Sequence, residues 1–136
     1  MAKRRGATPV SKDAARRSRL ELLIERYVAD CFARRTAPQG TELAALIEAN
    51  RGHLSETVKR VFGRSLSAIL HAAQVRYAAQ LLKTTDLSVE EIGTAAGFGH
   101  RATFFRRFKS LLGVTPTEYR DQNRQIATSD LPSTLL

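Results

Sequence analysis

The chain has 136 residues, 43% of them hydrophobic, which is enough for one compact domain or two very small ones and too little for a large multidomain enzyme. Its formal net charge of +9 predicts attraction to a polyanion, either nucleic acid or an anionic membrane surface. No apolar run approaches the roughly 20 residues that cross a bilayer, and MAKRRGATPV lacks the apolar stretch of a signal peptide, so a cytoplasmic protein is expected.

Residues 1–12, with KRR, Gly6 and Pro9, read as a flexible basic arm. From Asp13 to Arg35, Leu20, Leu23, Ile24, Tyr27, Val28 and Cys31 recur at helical spacing, and TAPQG ends that helix with Pro38 and Gly40. The single cysteine, Cys31, forbids an internal disulfide and is assigned to packing. A short helix over about 41–49 follows, then Asn50, a strong N-cap type, opens a second one that stops at Gly63. Residues 13–64 thus form an N-terminal helix and a first helix-turn-helix, and 65–84 a long linking helix with Ala-rich and Leu-rich faces. SVEE at 88–91 and TPTE at 115–118 are capping boxes, the latter with Pro116 in the favoured first turn. They frame a second helix-turn-helix over 85–124, broken by Gly97 and Gly99, and 125–136 read as a flexible tail. No strand-like alternation competes, so the class is all-α.

The chain also repeats. A shift of fifty residues lays Asn50 on His100, Leu54 on Phe104, Val58 on Phe108, Lys59 on Lys109, Phe62 on Leu112 and Gly63 on Gly113. Each copy is a short helix, a tight turn and a second helix closed by glycine, the arrangement whose second helix enters a DNA major groove. From Arg101 to Leu112, Phe104, Phe108, Leu111 and Leu112 make the core face, while Ala102, Thr103, Arg106 and Ser110 fall opposite, flanked by Arg107 and Lys109. A helix over about 66–83 spans roughly 27 Å, short of the ~34 Å between successive major grooves, so two-groove binding is expected to bend the duplex.

The segment LLKTTDLSVEEIGTAAGFGHRATFFRRFKSLLGVTPTEYR resembles the signature of the AraC/XylS family of bacterial transcription regulators. The matching elements are the GF turn, the series Phe104, Arg106, Phe108 and Lys109, and the closing run from Gly113 through Thr115, Pro116 and Tyr119 to Arg120. ELAALIEANRGHLSETVKRVFGRSL resembles the family's first, more variable helix-turn-helix, so the likeness covers roughly residues 20–122. It implies a seven-helix, homeodomain-like pair of helix-turn-helix units joined by a long central helix. It also implies binding to double-stranded promoter DNA, usually as an activator that contacts RNA polymerase, in the bacterial nucleoid. Most members carry a further sensing or dimerisation domain; this chain resembles the stand-alone type, acting as a monomer or weak dimer. Three departures are Gly93 where Ala is usual, Gln74 where Arg is usual, and Gly52, which costs about 1 kcal/mol of helix stability relative to Ala. The first unit is therefore expected to bind less firmly than the second.

By family position and helical wheel together, Arg101, Ala102, Thr103 and Arg106 are assigned to base edges, with Arg106 suited to bidentate pairing with guanine. The corresponding strip of the first unit is Gly52, His53, Ser55 and Glu56; Glu56 either accepts from cytosine N4 or simply pairs with Arg60 one turn on. Arg51, Lys59, Arg64, Arg107 and Lys109 are phosphate candidates, with solvated charge as the alternative for each. Phe98, Phe104, Phe108 and Tyr119 lie at core spacing and are assigned to packing rather than to stacking on single-stranded bases, while Phe105 fits either place. His53, His71 and His100 lack metal-ligand spacing, no acid-base constellation appears, and Cys31 offers no reactive-cysteine module. Neither an enzyme nor a bound cofactor or metal is expected. The competing reading is a basic architectural or RNA-binding protein of little sequence preference; membrane binding by the first helix is a lesser one.

Overall fold

The computed structural model describes the backbone of residues 7–124 and the side chains of 14–124. Among them are seven helices and no strand: α1 (Ala7–Ala33), α2 (Gly40–Leu46), α3 (Arg51–Phe62), α4 (Leu66–Thr84), α5 (Val89–Ala95), α6 (Arg101–Leu112) and α7 (116–124). The all-α, seven-helix expectation holds. α1 starts at Ala7, so residues 7–12 are helical rather than part of a flexible arm; Pro9 falls in the first turn, where a missing N–H forfeits no helical bond. Residues 1–6, the rest of that arm, and the 125–136 tail lie outside the described residues.

The chain packs as two compact units, the first holding α1 up to Cys31 together with Pro38–Leu70, the second Phe32–Ala37 together with the residues from His71 onward. The boundary falls inside α4, between Leu70 and His71, so this helix is not the separate linker expected over 65–84. In the first unit Ile24, Tyr27 and Cys31 of α1 meet Leu43, Ala44, Leu54, Val58, Leu66 and Leu70. The Tyr27 hydroxyl accepts the Gln39 N–H at 2.8 Å and donates to Glu42 Oε1 at 2.6 Å, which ties α1 to the start of α2. Burial, with the Glu42 carboxylate beside it, raises that phenol's pKa well above its ordinary range, so it stays a donor.

The second unit is built on aromatic rings. Phe104 lies 4.8 Å from Phe98 and 5.9 Å from Phe108, and Phe108, with 0% of its surface exposed, lies 5.4 Å from Tyr119. Val75, Ala78, Ala79, Leu82, Ile92 and Ala96 complete this core. Packing, as expected, accounts for these four aromatics. Leu111 and Leu112 are different: assigned to the core by periodicity, they are 48% and 42% exposed. They keep the apolar spacing, but they stand in the last turn of α6 and are not among the residues of the cluster around Phe108.

Both expected capping boxes form. Ser88 Oγ accepts from the Glu91 N–H at 3.0 Å while Glu91 Oε1 accepts from the Ser88 N–H at 2.9 Å. Thr115 and Glu118 do the same at 3.1 and 2.9 Å, starting α7. α3 and α6 end alike, at Gly63 and Gly113 in left-handed conformation.

Candidate nucleic-acid interface

α3 and α6 have the same length, 12 residues, and their ends keep the fifty-residue offset, but α2 and α5 are offset by 49. The turn of the second unit is accordingly one residue longer. Gly97 takes its left-handed position, φ +83°, whereas Glu48, at φ +56°, takes it in the first unit. A Cβ on Gly97 would lie 2.7 Å from Thr36 O and 2.8 Å from Ala37 Cα, so both the dihedral angle and the space require glycine. Gln74, buried on α4, donates from Nε2 to Ala96 O at 3.0 Å and so satisfies the first carbonyl of the turn. Arg120 does similar work at the end of α4, donating from Nε to Leu82 O at 3.3 Å and from an Nη to Thr85 O at 3.1 Å. In the sequence Gln74 stands out only as a departure and Arg120 only as the end of the closing run, because a buried polar side chain without a repeated partner leaves no periodic signal.

Once Phe104 and Phe108 are buried, Ala102, Arg106, Lys109 and Ser110 form the exposed strip of α6. Of the four residues assigned to bases, Ala102 and Arg106 stand together, one turn apart, on this strip. Arg101 is exposed at one edge. Its guanidinium lies 4.3 Å from the Phe105 ring centroid and 3.1 Å from Glu90 Oε2 on α5, so Phe105, half-buried and packed edge-on to Phe104 at 5.8 Å, joins the margin of the core and also supports Arg101. Thr103 occupies the other edge, half-buried, on the side of Arg107. Arg107 is also half-buried: desolvation, with Arg106 nearby, pulls its pKa below the usual guanidinium value. Burial, and after it the nearby Arg107 charge, lowers the pKa of His71 on α4.

In the first unit Gly52, His53, Glu56, Lys59 and Arg60 are exposed along α3, and Ser55 is half-buried on the far edge. Asn50 caps the helix, its side chain accepting the His53 N–H at 3.0 Å. Arg51 lies across Gly40, where a Cβ would come within 2.8 Å of its Nε, so its guanidinium sits on the start of α2 rather than beside Lys59. Arg64 leans back toward Ala68 O at 3.4 Å. No ion pair joins Glu56 to Arg60 among the described residues, which leaves Glu56 as an exposed acceptor. Among the described residues, no cluster of three His, Cys, Asp or Glu side chains is placed to hold a metal ion, and no helix is long and apolar enough to cross a membrane.

Two helix-turn-helix units, each presenting one exposed helix edged by cations, have a counterpart among known proteins. The profile of a family described as "Helix-turn-helix domain" matches residues 43–122, more than half of the chain. The chain belongs to the AraC-type helix-turn-helix family. It is 31% identical over 98 residues to the xylose operon regulatory protein of Escherichia coli (strain K12), covering 70% of this chain and 25% of that one. It is 34% identical over 84 residues to the MmsAB operon regulatory protein of Pseudomonas aeruginosa, covering 61% and 27%. The matched segment thus spans about a quarter of these curated relatives. The crystal structure of the DNA-binding domain of AdpA, a global transcriptional factor, in complex with a target DNA, resembles it with a TM-score of 0.67 and 27% identity, covering 76% of this chain and 93% of that one. Membership in the AraC-type family fits the glycine-bearing turn and the exposed strip on α6.

Proposed function

We propose that this chain binds duplex promoter DNA in a sequence-specific manner and regulates transcription, as an activator that contacts RNA polymerase. It is a DNA-binding regulator and not an enzyme, needs no cofactor, and acts as a monomer or weak dimer in the cytoplasm, associated with the nucleoid. One observation carries this reading: Ala102 and Arg106 stand on a single exposed face of α6, with Arg101 held against Phe105 and Glu90 at its edge and Lys109 beyond. A helix of about 10–12 Å diameter enters the major groove, where Arg pairs bidentately with guanine O6 and N7 and Lys meets phosphate. The relatives named as operon regulatory proteins and the DNA complex of AdpA support the same reading.

Within α6, Arg106 and Ala102 read base edges, with Arg101 and Thr103 at the margins. Arg107 and Lys109 hold phosphates. In α3, Gly52, His53 and Glu56 face bases, Ser55 contributes from its half-buried edge, and Lys59, Arg64 and Arg51 supply backbone contacts after the last two leave their present positions. The half-charge at a helix N-terminus also favours phosphate near residues 51 and 101. Selection from a pool of random duplexes tests the reading. A two-box motif is the expected result; one box means that α6 reads and α3 only grips backbone. No enrichment together with steep salt sensitivity refutes specific binding in favour of an architectural role.

A further inference from the structure

The first unit contains a cleft beside the base-facing strip of α3, with which it shares His53. It is an open cleft of about 450 Å³ between α1 and α3, within the usual range for small-molecule sites, and is lined by Arg16, Arg19, Leu20 and Leu23 of α1, by His53, Leu54, Thr57 and Arg60 of α3, and by Ala49. The α1 residues are spaced i, i+3, i+4 and i+7, so one face of the helix forms one wall. No carboxylate lines the cleft, and Arg16, Arg19 and Arg60 have no acidic partner among the described residues.

The lining is graded from end to end. Arg17, adjacent to Arg16, donates to Val61 O at 3.2 Å and lies 4.8 Å from the Phe62 ring centroid, which places residues 16–17 beside the C-terminal end of α3, where Arg60 stands. Leu23, two turns further along α1, runs toward the opening turns of α3, with Ala49 and Leu54. Arg16 and Arg60 thus meet at one end, while Leu23, Ala49 and Leu54 lie toward the other together with His53, and Leu23 is left 41% exposed. The last carbonyls of α3 oppose an anion with about half a charge, which the full charges of three guanidiniums outweigh. We propose that this cleft binds an amphiphilic monoanion, an aliphatic or aromatic carboxylate, with its head among Arg16, Arg19 and Arg60 and its tail on Leu20, Leu23 and Leu54. His53 lines the cleft and also belongs to the base-facing set of α3, so occupancy opposes DNA binding by the first unit; that coupling rests on the function proposed above.

Octanoate is the probe. In an NMR titration of the full chain without DNA, it shifts the amides of residues 16–23 and 53–60, with a dissociation constant on the order of 1 mM for a ligand of this size. Octanol binds at least tenfold more weakly, and Arg16→Gln with Arg60→Gln lowers octanoate affinity at least tenfold without changing the fold read by circular dichroism. Equal binding of octanol, or an unaffected double variant, overturns the site. So does a concentration-dependent dimer that protects the cleft amides, since it would put a second copy there. For coupling, saturating octanoate, against acetate at equal ionic strength, lowers retention of the selected duplex at least threefold in the parent and not in the double variant; equal retention with octanoate and with acetate in the parent overturns the coupling. Absence of DNA binding under every condition refutes the regulator reading and, with it, the coupling, whereas the octanoate titration decides the site by itself.

Discussion

Replacing Gly97 by alanine separates two costs that one residue carries. Gly97 and Gly113 have nearly the same left-handed φ, +83° and +82°, so the penalty for placing a Cβ in that conformation, about 1–2 kcal/mol, is common to both. Their surroundings differ. Nothing lies within 4 Å of a Cβ at Gly113, while at Gly97 the added atom would sit 2.7 Å from Thr36 O and 2.8 Å from Ala37 Cα. Those are backbone atoms, which cannot rotate away as a side-chain tip does, and overpacking of this kind adds about 1–3 kcal/mol. Gly113→Ala is therefore expected to cost about 1–2 kcal/mol and Gly97→Ala about 2–5 kcal/mol. Urea denaturation followed by far-ultraviolet circular dichroism measures both, provided that the slope is unchanged between variants. Equal losses would refute the close approach of the turn to residues 36–37. In a retention assay the Gly97→Ala variant also loses duplex binding, since the same turn sets the angle of α6.

Other expected outcomes concern the interface and its supports. Arg106→Ala relaxes selection at one base pair, worth about 1–3 kcal/mol of discrimination, whereas Lys109→Ala weakens all duplexes alike and shallows the salt slope by about one unit; equal losses for Arg106→Ala on selected and random duplexes would sink the base-reading role. Gly93→Ala brings a Cβ to 2.9 Å from the buried Phe104 ring, so a helix-propensity gain of about 1 kcal/mol is outweighed and the melting temperature falls. A rise would mean that Phe104 has room to move. Glu91, accepting the Ser88 N–H, and Glu118, accepting the Thr115 N–H, both have depressed pKa values. A carboxylate depressed in the folded state stabilises fully above its unfolded pKa of about 4.3 and loses that contribution as pH falls through the folded value. Unfolding midpoints from pH 7 to pH 3 should thus fall less steeply for the double variant Glu91→Gln and Glu118→Gln than for the parent; parallel curves would refute the linkage.

Periodicity, caps and terminators are local properties, and what depends on them was legible before folding: seven helices, two capping boxes, glycine ends at 63 and 113, and the burial of Phe104 and Phe108. The exposed placing of Ala102 and Arg106 followed from the same wheel, because burying one face of a helix leaves only one other. Contacts between segments far apart in the chain were decided by the tertiary structure alone. Periodicity put Leu111 and Leu112 inside, yet in the last turn of α6 they are 48% and 42% exposed. Arg51 and Arg101 align in sequence, but one rests on Gly40 and the other on Glu90 and Phe105, because α2 and α5 present different side chains to them. Gln74 and Arg120 take their roles from carbonyls 22 and 35–38 residues away, and the cleft exists only because α1 passes beside α3. A helical wheel gives the direction in which a side chain points from its own axis. What it meets there depends on which other helix the fold has brought alongside.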